Sequence, residues 1–145
     1  MENVTERALA RFRGGFNCSQ SVLSTFCEKY DLDEETAMKL ASPLGGGAGA
    51  GEVCGAVTGA LLVIGLKYGQ YLMEDAAAKL NCRDKAAEFT KKFREKFNSL
   101  TCRDLLGIDT SLPGNREIAE ERNLFRLRCD TFVAFAVETL AELGY

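Results

Sequence analysis

Residues 45–69 read GGGAGAGEVCGAVTGALLVIGLKYG. From Gly45 to Gly51 there is almost no side-chain bulk, which lets the backbone take positive φ and lets other groups come close. From Cys54 to Gly69 the stretch is apolar on nearly every side, which predicts a helix buried at the centre of the fold. Gly55 and Gly59, one helical turn apart, leave a flat strip against which a neighbour packs closely.

The flanking sequence reads as further helices. Ala8, Leu9 and Phe12 fall at helical spacing in a first helix from Thr5 to Arg13, which Gly14-Gly15 ends. Asn17 is an expected N-cap for a second helix from about Cys18 to Tyr30, where Val22, Leu23, Phe26, Cys27 and Tyr30 share one face. Asp33 begins a third segment that stops near Ser42-Pro43, because the residue before a proline avoids the helical region. Beyond Gly69, Phe89, Phe93 and Phe97 recur every four residues among Lys91, Lys92, Arg94 and Lys96, the pattern of an amphipathic fifth helix. A short turn of helix from Cys102 to Leu106 ends at Gly107, and GIDTSLPGN (107–115) is turn chemistry. The last helical region runs from about Arg116 to Leu143, with a break or kink expected near Cys129-Asp130, where Asp130 can cap a new helix. There is no run of alternating β-branched residues and no internal repeat of useful length. The expected fold class is all-α: a compact single-domain bundle of six or seven helices covering residues 1–145, with the glycine-rich loop leading into its buried central helix.

The 145 residues suffice for one self-sufficient core. Lys plus Arg total 18 against 21 Asp plus Glu, a formal charge of −3, so no global field draws the chain onto nucleic acid or an anionic membrane. The start, MENVTERALARFRGG, has scattered charges and no apolar h-region, so it does not read as a secretory signal. The longest apolar run, Ala60 to Leu66, is far shorter than the ~20 residues a membrane span needs. A cytoplasmic location is therefore expected, without membrane insertion. In that reducing compartment six cysteines point to metal binding, catalysis or burial more than to a permanent disulfide framework.

Histidine is absent, which removes Ser-His and Cys-His nucleophile pairs, His-ligated zinc and the CxxCH attachment of haem c. The carboxylates lie on predicted solvated faces and do not suggest a glycosidase pair. The glycine-rich loop lacks the Lys-Ser/Thr ending of a P-loop, does not fit GxGxxG and follows a helix instead of a strand, all of which argues against a nucleotide site. Two readings remain for it. It is a wide entry to a buried helix, or it exposes backbone N–H groups around Cys54 to a cofactor or partner, with Gly47, Gly49, Gly51 and Gly55 as the contacts.

The cysteines stand at positions 18, 27, 54, 82, 102 and 129. No CxxC pair occurs, so zinc-ribbon and thioredoxin spacings are missing. Cys18, Cys54, Cys82 and Cys102 fall in or near predicted first helical turns, where the dipole and free N–H groups lower a thiol pKa. Arg83, Arg103 and Arg128, each beside a cysteine, act the same way if their side chains turn towards sulfur. Cys27 lies on an apolar helical face and reads as core. For the others, burial as a small hydrophobe competes with function.

Phe16-Asn17-Cys18 with Val22, the glycine loop, the run Glu52-Val53-Cys54-Gly55-Ala56-Val57-Thr58-Gly59, Gly65 to Gly69, Cys102 to Gly107 and Cys129 together resemble the C_GCAxxG_C_C family of "putative redox-active" proteins. The resemblance extends from about residue 5 to 143. It implies four characteristic cysteines, Cys18, Cys54, Cys102 and Cys129, as the catalytic or metal-binding set, with Cys27 and Cys82 as extras. A related segment in split-Soret cytochromes c is associated with a cysteine-bound iron–sulfur centre, and without CxxCH only the iron–sulfur part of that analogy applies here.

Two chemistries follow from that implied set. In the first, one cysteine of low pKa attacks or is oxidised, with Cys54 expected in that role because of its loop, and a second resolves it as a disulfide. In the second, all four thiolates hold an iron–sulfur cluster or zinc. Spacing does not decide between them. A third reading, from another class, is a helical interaction module whose cysteines merely pack. Glu52 is read as a solvated loop carboxylate, with proton acceptor as the alternative. The redox partner is not specified by the sequence. A homodimer is compatible with the Gly55-Gly59 strip, which permits close packing within one chain as readily as between two.

Overall fold

The structure, a computed structural model, describes residues 3–145. Eight α-helices follow one another: α1 (Val4–Arg13), α2 (Cys18–Phe26), α3 (Glu34–Ala41), α4 (Gly55–Tyr68), α5 (Ala76–Phe97), α6 (Cys102–Leu106), α7 (Asn115–Glu121) and α8 (Asp130–Glu142). No strand occurs among the described residues, and the extended backbone is limited to one antiparallel bridge between Val53 and Thr101. No helix among them is long and apolar enough to cross a membrane.

The structure has eight helices where six or seven were expected, and the C-terminal region divides earlier than expected. The break lies at Asn123, whose φ of 56° is incompatible with a continuing right-handed helix. A wide π turn, Phe125–Cys129, then runs smoothly into α8, with Cys129 and Asp130 both in helical backbone. Asp130 is therefore no cap. Its carboxylate instead receives Arg13 from the end of α1, with Nε and Nη2 donating to Oδ2 at 2.9 and 2.6 Å.

Helix α4 is the centre, as its all-round apolar sequence requires. Ala56, Val57, Ala60, Val63 and Ile64 are sealed from solvent. Its closest neighbour is α2, and the Gly55-Gly59 strip is taken up there, within the chain. A Cβ added at Gly59 would stand 2.8 Å from the Ser19 carbonyl oxygen and 3.1 Å from Val22 Cβ. That contact distance explains why the residue must be glycine. The aromatic stripe of α5 meets α8 in an edge-on cluster, with Phe97 4.9 Å from Phe132 and 5.2 Å from Phe135 between ring centroids. Phe89 and Phe93 are wholly buried, each contributing about 2–3 kcal/mol by removal from water.

The glycine-rich segment is neither α-helix nor extended loop. Gly46, Gly47, Ala48 and Gly49 all adopt left-handed backbone, with φ between 60° and 68°, and the Glu52 N–H closes the turn on the Gly47 carbonyl at 3.0 Å. Four consecutive left-handed residues demand glycine, since each L side chain there costs roughly 1–2 kcal/mol. Ala48 is the one position that carries that strain. Ala48→Gly is expected to stabilise the chain by about 0.5–1 kcal/mol, because relief of strain exceeds the added unfolded-state entropy. Thermal melting reads this as a rise of roughly 2–4 °C, and a lowered melting temperature would contradict it.

Candidate functional site

The left-handed turn delivers the chain to two hydrogen bonds that join the starts of α4 and α6. The Cys54 N–H donates to the Leu100 carbonyl at 2.7 Å, and the Cys102 N–H donates to the Glu52 carbonyl at 2.6 Å. The bridge fixes two cysteine-bearing helix starts side by side. Arg103 strengthens it, with Nη1 donating to Gly51 O at 3.1 Å and to Glu52 Oε1 at 2.8 Å. Across from them, Cys18 opens α2 behind a capping box in which Asn17 Oδ1 receives the Gln20 N–H and Gln20 Oε1 receives the Asn17 N–H, both at 2.9 Å. Asn17 also donates Nδ2 to Ser42 O at 2.8 Å, tying α2 to the approach to the glycine turn.

These constraints leave a cavity of about 560 Å³ whose wall includes Cys18, Cys54, Cys102 and Cys129. The four cysteines implied by the family resemblance thus share one cavity, while Cys27 and Cys82 do not line it. Cys27 is fully buried in the core. Cys82 does not stand in a first turn; α5 begins at Ala76 and places it in mid-helix, packed against the core. The early start of α5, capped by Asp75 at the Ala78 N–H, was not signalled by the Asn81-Cys82 pair.

Electrostatics divide the four thiols into one acidic and three resistant. Hydrogen bonding between the Cys54 and Cys18 side chains favours charge on Cys18, and the backbone N–H groups of Gly46 and Ser19 act in the same direction. Together they outweigh burial and bring Cys18 down to about 7. The same bond, with burial and the adjacent charge, holds the Cys54 proton well above the ordinary thiol range. Burial, reinforced by charge on Cys18, pushes Cys102 up to about 11, against a side-chain hydrogen bond with Thr110. Burial likewise raises Cys129, with the charges of Cys18, Cys102 and Asp130 acting in the same direction. The first proton to leave belongs to the Cys18–Cys54 pair, and the hydrogen bonds favour Cys18 as the charged sulfur over Cys54, the residue expected to attack.

The arginines adjacent in sequence to cysteines do not account for this pattern. Arg103 is held by Gly51 and Glu52, Arg128 donates to the Leu106 carbonyl at 2.7 Å, and Arg83 is exposed on α5. Glu52 is a half-exposed partner of Arg103, as its reading as a solvated carboxylate requires. Of the four glycines expected to contact a cofactor, Gly49 and Gly55 line the cavity. Gly47 and Gly51 serve the backbone instead. A Cβ at Gly47 would overlap Glu52 backbone, and one at Gly51 would stand 2.6 Å from Asp109 Oδ1. Gly45 and Gly46 line the cavity in their place.

Sequence reasoning missed Arg116, Thr110 and Ser111, which also line the cavity. They lie in or just after a segment legible only as turns. That segment is folded inward by Asp109, which accepts from the Ser111 N–H at 3.0 Å and whose carbonyl receives Asn115 Nδ2 at 2.9 Å. Among the described residues no three cysteine, aspartate or glutamate side chains are grouped closely enough to hold a metal ion. A four-thiolate cluster would require Cys102 and Cys129 to turn towards the Cys18–Cys54 pair.

The order of the cysteines and the CGAVTG element at the start of the buried helix carry the resemblance to one sequence family. A model of the family described as "Putative redox-active protein (C_GCAxxG_C_C)" matches residues 16–143. The chain belongs to this family. No curated protein and no solved structure matches it. In this C_GCAxxG_C_C chain the four cysteines that the resemblance implied lie in the wall of one cavity, and Gly55 packs directly over Cys18.

Proposed function

We propose that the chain is a thiol–disulfide redox protein, a single helical domain in which Cys18 and Cys54 are the exchanging pair. The observation that carries the reading is that Cys18 and Cys54 share the wall of one cavity, where their interaction draws Cys18 down to about 7 and holds the Cys54 proton well above the ordinary thiol range, a thiolate beside a protonated resolving thiol. A thiolate of pKa near ambient pH combines ionisation with retained nucleophilicity, the optimum for exchange. Cys18 Sγ attacks a disulfide sulfur of the oxidised partner and one partner thiolate leaves. Cys54 then loses its proton and attacks Cys18 Sγ, which closes the Cys18–Cys54 disulfide and releases the second partner thiolate. Two protein thiols are oxidised and one partner disulfide is reduced.

The cycle starts from the reduced form, which a reducing compartment maintains. Mild hydrogen peroxide is expected to remove two of the six thiols reversibly, with peptide mapping joining Cys18 to Cys54. Cys18→Ser and Cys54→Ser should each abolish the bond. Oxidation that leaves all six thiols intact, or joins other cysteines in their place, would sink the reading.

A second reading, a four-cysteine iron–sulfur or zinc site, is favoured by the convergence of Cys18, Cys54, Cys102 and Cys129 on one cavity. Anaerobic purification with iron, sulfide and zinc analysis separates the two. Stoichiometric metal that vanishes in Cys102→Ser as well as in Cys18→Ser would replace the dithiol mechanism, which needs only two of the four.

A further inference from the structure

The wall of the cysteine cavity is electrically one-sided. It carries three arginines, Arg13, Arg116 and Arg126, and among the described residues no aspartate or glutamate lines it, in a chain whose formal charge is −3. Arg13 is engaged by Asp130 through two hydrogen bonds. The other two are not held in that way. Arg116 Nε stands 3.7 Å from Glu120 and Arg126 Nε 3.9 Å from Asp130, well beyond the ~2.7–2.9 Å of a charge-assisted hydrogen bond. Both side chains are more than half exposed. Arg116 is held over the Phe125 ring at 5.0 Å, a cation–π contact that positions the guanidinium while leaving its N–H donors available.

Around these cations the wall is apolar and aromatic, with Phe12, Phe16, Phe125 and Leu105 contributing. The volume falls within the ~300–1,000 Å³ usual for small-molecule sites. A planar fork of donors at the rim is the group that recognises carboxylates bidentately. The helix starts that carry Cys18 and Cys54 add partial positive charge in the same direction.

We infer that the cavity receives a small anionic disulfide, a low-molecular-weight compound bearing carboxylates, with Arg116 and Arg126 holding its carboxylates while its sulfur–sulfur bond faces Cys18. This rests on the dithiol reading and names its substrate class. In the exchange the small disulfide accepts two electrons and leaves as two thiols, and the chain leaves with the Cys18–Cys54 bond. Binding anions by arginine accelerates encounter with negative substrates and slows positive ones.

The test uses the reduced full chain and three disulfides that differ in charge: oxidised glutathione (anionic), bis(2-hydroxyethyl) disulfide (neutral) and cystamine (cationic). Rates of Cys18–Cys54 bond formation are normalised to each disulfide's rate with free 2-mercaptoethanol. At low ionic strength the anionic disulfide should exceed the cationic one by about tenfold or more. That ratio should fall towards unity in Arg116→Gln/Arg126→Gln and largely return in Arg116→Lys/Arg126→Lys. Equal normalised rates in the unaltered chain, or a ratio indifferent to the double substitution, would overturn the inference and leave the dithiol reading standing. If peroxide closes the Cys18–Cys54 bond but none of the three disulfides does, the inference falls and a protein disulfide becomes the partner. If neither closes it, both readings fall together.

Discussion

Gly55→Ala should slow formation of the Cys18–Cys54 disulfide by roughly ten- to a hundredfold while the chain stays folded. A Cβ built on Gly55 overlaps Cys18 Sγ and stands 3.1 Å from the Ser19 backbone nitrogen and 3.4 Å from Gly45 Cα. The sulfur is the end of a short side chain and can rotate away, whereas the backbone contacts are tight without being impossible. The rotation breaks the hydrogen bond with Cys54 and carries Sγ out of line for exchange, and misplacement by about 1 Å is enough to cost about a hundredfold in rate. Stability should fall by about 1–2 kcal/mol, which leaves the chain folded. The crowding at Ser19 costs about 1–3 kcal/mol, and the better helix propensity of alanine returns up to about 1 kcal/mol. The measurement pairs a melting curve with stopped-flow oxidation by peroxide. A folded variant that oxidises at the unaltered rate would show that the pair does not depend on the close packing of α2 on α4.

That packing marks how far the site was legible in the sequence. The buried character of α4 followed from residue type alone, because an all-round apolar helix has nowhere else to go, and Gly55 and Gly59 marked a strip for close packing. The helix start at Cys18 was readable too, since Asn17 is an expected N-cap just before it. Three other features depend on tertiary contacts that no local pattern carries. The Cys18–Cys54 hydrogen bond needs α2 and α4 to meet at Gly55. The bridge between Val53 and Thr101 brings Cys102 beside Cys54 across 48 residues of sequence. The segment 107–115 reads as turns but folds back to place Thr110 against Cys102. Arginine adjacency failed for the same reason. Arg103 and Arg128 are taken up by carbonyl groups, and of the three arginines that line the cavity, Arg116 and Arg126 stand 13 and 3 positions before Cys129 and Arg13 lies at the far end of the chain. Asn123 hid the last break, because a single asparagine is ordinary in a helix unless its neighbours force positive φ.

The ionisation of Cys18 supplies the second large effect. In the unaltered chain, alkylation of Cys18 by iodoacetamide should rise through a midpoint near pH 7, against roughly 8.5 for an ordinary thiol. The main cause is the S–H donor of Cys54, ahead of the N–H of Gly46, so Cys54→Ala should move the midpoint upward. At pH 7 the thiolate fraction then collapses, and the greater intrinsic nucleophilicity of a more basic sulfur offsets only about half of that loss on a logarithmic scale. A fall of about threefold or more in the rate at pH 7 is expected if the midpoint returns to about 8.5, reversing by pH 10, where the sulfur is largely ionised in either chain and the more basic thiolate is the better nucleophile. Linkage sets the accompanying sign for stability. A folded-state pKa below the unfolded value means that the unfolded chain binds more protons between the two, so this thiolate contributes stability above about pH 8.5 and loses it as pH falls through about 7. Cys102, raised to about 11, acts oppositely: from about pH 8.5 upward the unfolded chain releases a proton that the folded chain retains, and stability declines. An alkylation midpoint that stays near 7 in Cys54→Ala would assign the low pKa to the backbone N–H groups and the helix start alone, and would remove Cys54 from the chemistry of the pair.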